Sequence, residues 1–300
     1  MTAAIELTGL SKRFGHKVAV NNVTFSVEQG QCYGLIGPNG AGKTTTFSMM
    51  CGFLFPSAGS VRVLGVDPAA PGALKGKVGV LPQDAVLPMT WPVGALLTYL
   101  ARLSELPDPE GEARRVLDKV ALPETWGVLA GALSHGMAKR VAMAQALMGS
   151  PPVIFLDEPT AGLDPKIAAA VRGLIRELKG QHTVVVSSHN LQELEELCDG
   201  TAILDKGTLV TAASMTEITG QSAEFRVQLA KGSPPLEELK GLPGVQHVAV
   251  EASGQVLLVR YVGAPEEVIS AVVGRLITRG VLILGVTRGQ RLEEKVLQLT

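Results

Sequence analysis

The chain has 300 residues, 46% of them apolar, 18% charged and 4% aromatic, with a formal net charge of −1. That length suits one large domain plus a smaller one, and the apolar share is ample for packed cores. The charge balance excludes a strongly basic nucleic-acid binder, and the scarcity of aromatics excludes a surface built to stack bases or sugars.

The first segment reads as strands. Ile5 and Leu7 alternate with polar neighbours, and Val18 to Val27 is β-rich with a turn candidate at Asn21-Asn22. Cys32 to Ile36 (CYGLI) is a short apolar run that suits a buried strand, and a helix is predicted from the following Gly-rich segment through Met50. Val93 to Leu147 is mostly helical with a break around Leu133 to Gly136. Val153 to Leu156 and Thr183 to Ser187 are further apolar strands, with helical spacing over Ile167 to Leu178 between them. Strand, helix, strand in that order predicts parallel pairing in an α/β sheet. A boundary falls near Gly220, after which the pattern restarts. Strands are expected at Phe225 to Leu229, at Val245 to Val250 and Gln255 to Val262 (joined around Ser253-Gly254), and at Val281 to Val286. Pro235 to Leu242 reads as a short helix, and Val268, Ile269, Val272, Val273, Leu276 and Ile277 share one face of a longer one. The order β-α-β-β-α-β predicts a small α+β, ferredoxin-like domain over 219–300, and the last ten residues read as a short amphipathic helix.

The three cysteines, Cys32, Cys51 and Cys198, are an odd set without close spacing. They read as small buried thiols in a reducing compartment, not as a disulfide framework. The opening MTAAIELTGL lacks the basic start and apolar run of a signal peptide. No stretch approaches the roughly 20 apolar residues of a membrane helix. The chain is therefore expected to be soluble and to work at a membrane only through a partner.

The segment Gly37-Pro38-Asn39-Gly40-Ala41-Gly42-Lys43-Thr44 is a full phosphate-loop pattern between a strand and a helix. Glycines let the backbone bend so that successive N–H groups face phosphate oxygens, and the helix start adds a favourable dipole. Lys43 supplies a point charge for the β- and γ-phosphates, and the Thr44 hydroxyl is a Mg²⁺ ligand. Val153 to Asp157 is an apolar strand ending in a carboxylate, the place of a second Mg²⁺-holding group. Glu158 follows, placed to polarise an attacking water as general base. On its own an Asp-Glu pair is an ordinary solvated loop; its position after a buried strand and downstream of the phosphate loop favours the site.

Leu133-Ser134-His135-Gly136-Met137 resembles the signature motif of ABC ATPases. With GPNGAGKTT, VIFLDEPT, Ala161-Gly162-Leu163-Asp164 and His189 it makes five motifs in the family's order, so residues 1 to about 218 resemble an ABC ATPase domain. The resemblance implies a P-loop fold with a parallel core sheet, an antiparallel β subdomain and a helical subdomain. It implies two ATP molecules, with Mg²⁺, sandwiched in a head-to-tail pair of ATPase subunits, homodimeric or heterodimeric, the homodimer being the first expectation. Gly37 to Thr45, including Ala41 and Thr45, would hold the phosphates of one ATP, and Ser134 and Gly136 would reach the γ-phosphate of the opposite site. Gln83 resembles the residue that senses Mg²⁺ or water and links to the membrane partner. Asp164 resembles the aspartate that connects the two sites, and His189 the switch histidine that holds the γ-phosphate and water. Phe14 is similar in position to the aromatic that stacks on adenine.

The signature departs from the family pattern at His135 and Met137, where glycine and glutamine are usual. Such variants resemble those of exporters of drugs, sodium, polysaccharide or lipid-linked cargo, including subunits linked to gliding motility. His135 is either a tolerated surface side chain or, at an interface, a source of pH dependence. Met89, Trp91 and Leu96 follow Gln83 and either line a groove for membrane helices or pack in the core. The function implied is that of an ATP-hydrolysing subunit serving a separate polytopic membrane subunit, held at the inner face of the cytoplasmic membrane. The competing class is a soluble ABC ATPase acting on DNA or ribosomes. It is disfavoured because the chain has neither a long coiled-coil insertion nor a second ATPase half, and no basic excess; no nucleic-acid partner is expected.

Overall fold

Apolar runs that a parallel sheet buries on both faces form the centre of the molecule. The computed structural model describes residues 2–70, 72–219, 224–231, 233–251, 254–288, 292 and 296. In chain order the strands and helices begin with β1 (Ala3–Phe14), β2 (Lys17–Glu28), β3 (Cys32–Ile36), α1 (Lys43–Met50), β4 (Ala58–Val63) and β5 (Val78–Leu81). They continue with α2 (Val93–Leu103), α3 (Pro109–Lys119), α4 (His135–Ala146), β6 (Val153–Asp157), α5 (Pro165–Leu178), β7 (Thr183–Ser187) and α6 (Leu191–Leu197). The series closes with β8 (Gly200–Asp205), β9 (Thr208–Ser214), α7 (Met215–Thr219), β10 (Glu224–Lys231), α8 (Leu236–Lys240), β11 (Val245–Val250), β12 (Val256–Tyr261), α9 (Pro265–Thr278) and β13 (Leu282–Arg288).

The central sheet runs β5-β6-β7-β3-β8-β9, parallel except for β9. Every residue of β3, β6 and β7 is buried, which explains why their sequences are apolar runs without alternation. Because the strands are parallel, their carboxyl ends share one edge, where ligands bind in open α/β sheets. A second, antiparallel sheet runs β2-β1-β4 and has the alternation expected of a half-buried surface. Phe47 of α1 meets Phe155 of β6 edge to face, with ring centroids 5.5 Å apart. Aromatic pairs of this kind add about 0.5–1.5 kcal/mol beyond their burial, and this one ties the first helix to the strand that ends in Asp157.

The structure corrects several details. Asn21-Asn22 is no turn: β2 continues through it, and the pairing with β1 shifts register between Leu10 and Lys12. Asn22 takes φ 53° there and donates its N–H to Ser11 Oγ at 2.9 Å, so the extra residue is absorbed as a bulge. The helical stretch after Val93 breaks earlier than expected and twice, between Leu103 and Pro109 (Glu105 φ 57°) and again from Ala121 (φ 53°) to the cap at Ser134. Strands β4, β5, β8 and β9 were not legible in the periodicity. β8 is bracketed by Gly200 and Gly207 and is too short to announce itself beside them.

The chain divides into two compact units, Met1–Ser214 and Met215–Leu299. The second is a four-stranded antiparallel sheet ordered β11-β12-β10-β13. Phe225, Val227, Leu257, Val259, Val272 and Leu276 form its separate core, so β10 and β12 bury alternate residues against one face of α9. The expected strand-helix order holds in this unit. The turn residue Ser253, and most of the expected terminal helix, lie outside the described residues.

Since each unit has its own core, a chain ending at residue 219 should fold and bind ATP, as domains with their own cores do. Insoluble protein, or loss of nucleotide binding measured by equilibrium dialysis, would show that the second unit completes the first.

Candidate active site

β3 delivers the chain into the Gly-rich loop, and α1 takes it away. At Gly42 the backbone is left-handed (φ 97°), and a Cβ there would stand 2.6 Å from the carbonyl oxygen of Ala19. Only glycine fits this turn against β2. Gly42 is also the N-cap of α1 and offers no side-chain cap, so the first N–H groups of the helix are left to an external acceptor. Lys43 Nζ lies in the crook of the loop and donates to the carbonyls of Gly37 at 2.6 Å and Pro38 at 3.2 Å.

The pairing of β6 with β7 sets Asp157 directly opposite Ser187. Ser187 Oγ donates to Asp157 Oδ1, and the Ser187 carbonyl and hydroxyl oxygens both accept from the N–H of Glu158 at 3.1 Å. Glu158 sits at φ 50°, a region non-glycine residues seldom adopt. Its Oε2 meets His189 Nδ1 at 2.8 Å, with the carboxylate side chain 11% exposed and the imidazole 71%.

The site balances buried charge of both signs. Burial pushes the Asp157 carboxyl above its ordinary range; the Ser187 hydrogen bond and the nearby Lys139 and Lys43 pull it back, and Asp84 pushes with the burial. Burial likewise lowers Lys43, against the attraction of Glu158 and Asp157. Lys139, on α4, is lowered by burial and raised by Asp157, Asp84 and Glu158, and its Nζ donates to the Gln83 carbonyl at 3.0 Å. The helix that begins at the signature motif is thereby tied within the same chain to the Gln83 segment.

A pocket of 480 Å³ gathers Asn39, Gly40, Gly42, Lys43, Thr44, Thr45, Gln83, Asp157, Glu158 and His189, with Lys17, Ala19 and Ala161 completing its wall. Lysine, helix N–H groups and oxygen donors on one side of a carboxylate–imidazole pair make a phosphate site with a base beside it. Phe14 is not on the pocket wall; it is half exposed at the end of β1, with Lys12 Nζ 5.1 Å from its ring centroid.

Ser134, Gly136 and Asp164 are not on the wall either, and each has a local role. Ser134 caps α4 by accepting from the Met137 N–H at 3.3 Å. Asp164 caps α5, accepting from Lys166 and Ile167 at 3.1 and 3.0 Å. A Cβ on Gly136 would meet Ile167 Cδ1 at 2.8 Å, and one on Gly162 would meet His135 Nε2 at 3.2 Å. The signature segment and the segment carrying Asp164 are thus packed on each other. Sequence reasoning missed Lys17, Ala19, Asp84, Lys139 and Ser187. Ser187 had a signal, being the polar residue that ends a strand of three consecutive valines; a lone lysine on a predicted helix had none.

Comparison with known proteins places the chain in a family. The family model described as ABC transporter matches residues 20–161. The chain is 32% identical over 303 residues to Nod factor export ATP-binding protein I of Mesorhizobium japonicum, covering 100% of this chain and 87% of that one. It is 34% identical to the protein of the same name from Rhizobium sp. (strain N33), covering 99% and 97%. Among solved structures, an ATP binding subunit of an ABC transporter superposes with a TM-score of 0.67 at 28% identity, covering 73% of this chain and 93% of that one. The ADP conformation of MJ1267, an ATP-binding cassette of an ABC transporter, gives 0.63 at 25% identity, covering 73% and 95%. The Gly-rich loop, the Asp157–Glu158 pair and the similarity along the full length converge: the chain belongs to the ABC transporter family and is its ATP-binding subunit, an ABC ATPase.

Proposed function

We propose that two copies of this chain close head to tail around two ATP molecules, hydrolyse them, and drive a separate polytopic membrane subunit in export. The observation that carries the reading is the contact between Glu158 and His189, 2.8 Å apart in the pocket that Lys43 also lines. Glu158 takes the proton of the attacking water; His189 orients Glu158 and reaches the γ-phosphate. Lys43 and the first N–H groups of α1 hold the phosphates in place, so most of the catalysis is positioning and charge neutralisation. Thr44, Gln83 and Asp157 supply hard oxygen donors on the same wall, a set that suits Mg²⁺. When bound, Mg²⁺ would neutralise charge on the β- and γ-phosphate oxygens.

Ser134, with the bare backbone at Gly136, would serve the ATP of the opposite subunit, and Asp164 would connect the two sites. Phe14 would stack on adenine, a part that its exposed ring leaves open to it. Export is supported by the names of the Nod factor export relatives. Among the described residues no helix is long and apolar enough to cross a membrane, which supports peripheral attachment on the inner face of the cytoplasmic membrane. A groove of 440 Å³ lined by Phe53, Val80, Pro82, Leu100, Leu103 and Met148 begins next to Gln83 and suits a short helix of the membrane partner. Met89 is 64% exposed, whereas Leu96 is 5% exposed and belongs to the core. We assign 1–218 to the ATPase domain and 219–300 to a ferredoxin-like domain, a reading supported by the β11-β12-β10-β13 order with both helices between strands.

Lys43→Ala should weaken ATP binding by more than about tenfold, or 1.4 kcal/mol, because an anionic tail loses its main cation. Equilibrium dialysis giving an affinity within about threefold of the parent would remove Lys43 from the site.

Glu158→Gln should slow hydrolysis by about 10²–10⁴-fold while leaving ATP binding intact, so that the ATP-bound dimer accumulates at twice the monomer mass in light scattering. Adding Ser134→Arg should abolish that dimer and spare binding to each phosphate loop. A double variant that still dimerises would show that Ser134 does not act across the interface. In cells the chain should co-purify with a polytopic membrane protein; recovery of ribosomes or DNA alone would favour the soluble class.

A further inference from the structure

Glu158 and His189 sit on two separate loops, one after β6 and one after β7, and their contact depends on how those loops are held together. Behind them stands Glu193 of α6, a carboxylate 2% exposed and absent from the pocket wall. Its Oε2 accepts from Thr160 Oγ1 at 2.7 Å and from Ser188 Oγ at 3.2 Å. Thr160 lies two residues past Glu158, and Ser188 immediately precedes His189. The same Ser188 oxygen accepts from the Asn190 N–H at 3.0 Å, and Asn190 Oδ1 accepts from the Glu193 N–H at 3.2 Å, closing a ring around the His189 turn.

We propose that Glu193 is a positioning residue for hydrolysis, which joins the Glu158 loop to the His189 loop through Thr160 and Ser188. The inference rests on the reading of Glu158 and His189 as the hydrolytic pair. Hydrogen bonds to a carboxylate are stronger than neutral ones, and burial raises the penalty for breaking them. The hold is needed because Glu158 stands in an unfavourable backbone region, at φ 50°, from which the loop relaxes unless its next residues are anchored. Thr160 is that anchor. Glu193 touches neither ATP nor water; it acts only through the distance between two groups that do. A misplacement of about 1 Å in such a pair costs about 10²-fold in rate. Both hydrogen bonds end on the same oxygen, Oε2, so one acceptor oxygen suffices for the staple and a glutamine retains it.

The test is steady-state ATPase kinetics of the full chain, with kcat and KM for ATP measured well below each variant's Tm. Glu193→Ala should lower kcat by about 10–100-fold with KM within about threefold, because the binding groups on α1 are untouched. Thr160→Val should reproduce much of the loss, and the Glu193→Ala/Thr160→Val pair should be no worse than the poorer single variant, as expected when two changes break one contact. Glu193→Gln should recover most of the lost kcat. If Glu193→Ala does not fold, Thr160→Val and Ser188→Ala carry the test, since they leave the carboxylate in place. A kcat within about threefold of the parent in these variants, a loss carried by KM, or additive effects in the pair would overturn the proposal. Glu158→Gln and His189→Ala run alongside: if they keep the parental rate, the hydrolytic reading fails; if they lose it while Glu193→Ala and Thr160→Val keep theirs, the staple alone fails.

Discussion

The site rests on the register of three parallel strands. Pairing places Leu35 of β3 and Asp157 of β6 on opposite sides of Ser187. From that alignment follow the Gly-rich loop on one side, the paired carboxylates on the other and the His189 turn ahead. A slip of one residue would rotate Asp157 to the other sheet face. What prevents the slip is burial on both faces: β3, β6 and β7 expose nothing, so any shift leaves apolar side chains facing the wrong neighbours. Ser187 then does three things with few atoms. It donates to Asp157, accepts from the backbone of Glu158, and ends the strand that leads to His189.

The electrostatics follow from the same burial. Desolvation disfavours the charges of Asp157, Lys43 and Lys139, their opposite signs offset part of that cost, and Glu158 and Asp84 add to the negative side. In the proposed reading, arriving phosphates would add negative charge beside lysines that burial already disfavours as cations, and a cation held by the oxygen donors would restore the balance. The wall would then have to provide ligands of both kinds, and Thr44 and Lys43, adjacent in sequence, would provide one of each.

Much of this was legible from the chain alone where chemistry and periodicity coincide. Gly37 to Thr45, Asp157, Glu158 and His189 were each marked by residue types that the reaction demands, next to apolar runs that could only be buried strands. β8 and β9 were hidden because both are short, with Gly200 opening the first and Gly207 in the turn between them, and the bulge at Asn22 imitated a turn because Asn favours both. Lys139 and Glu193 were hidden for a different reason. Each sits on a helix as an ordinary charged residue, and only tertiary packing reveals that its functional end points inward. Sequence patterns show what lines this pocket more readily than what packs behind it.

The capping of α4 by Ser134 has a consequence for the polarity of that hydroxyl. Its oxygen is engaged as an acceptor by the Met137 N–H, so its hydrogen points elsewhere and stays available to donate. Aspartate would cap the helix as well and present only lone pairs, turning an anion donor into an anion repeller. Asp164, which caps α5 with a carboxylate, shows the other choice one helix away. Two helix starts capped in the same manner can thus be given opposite preferences for an anion by one hydrogen atom.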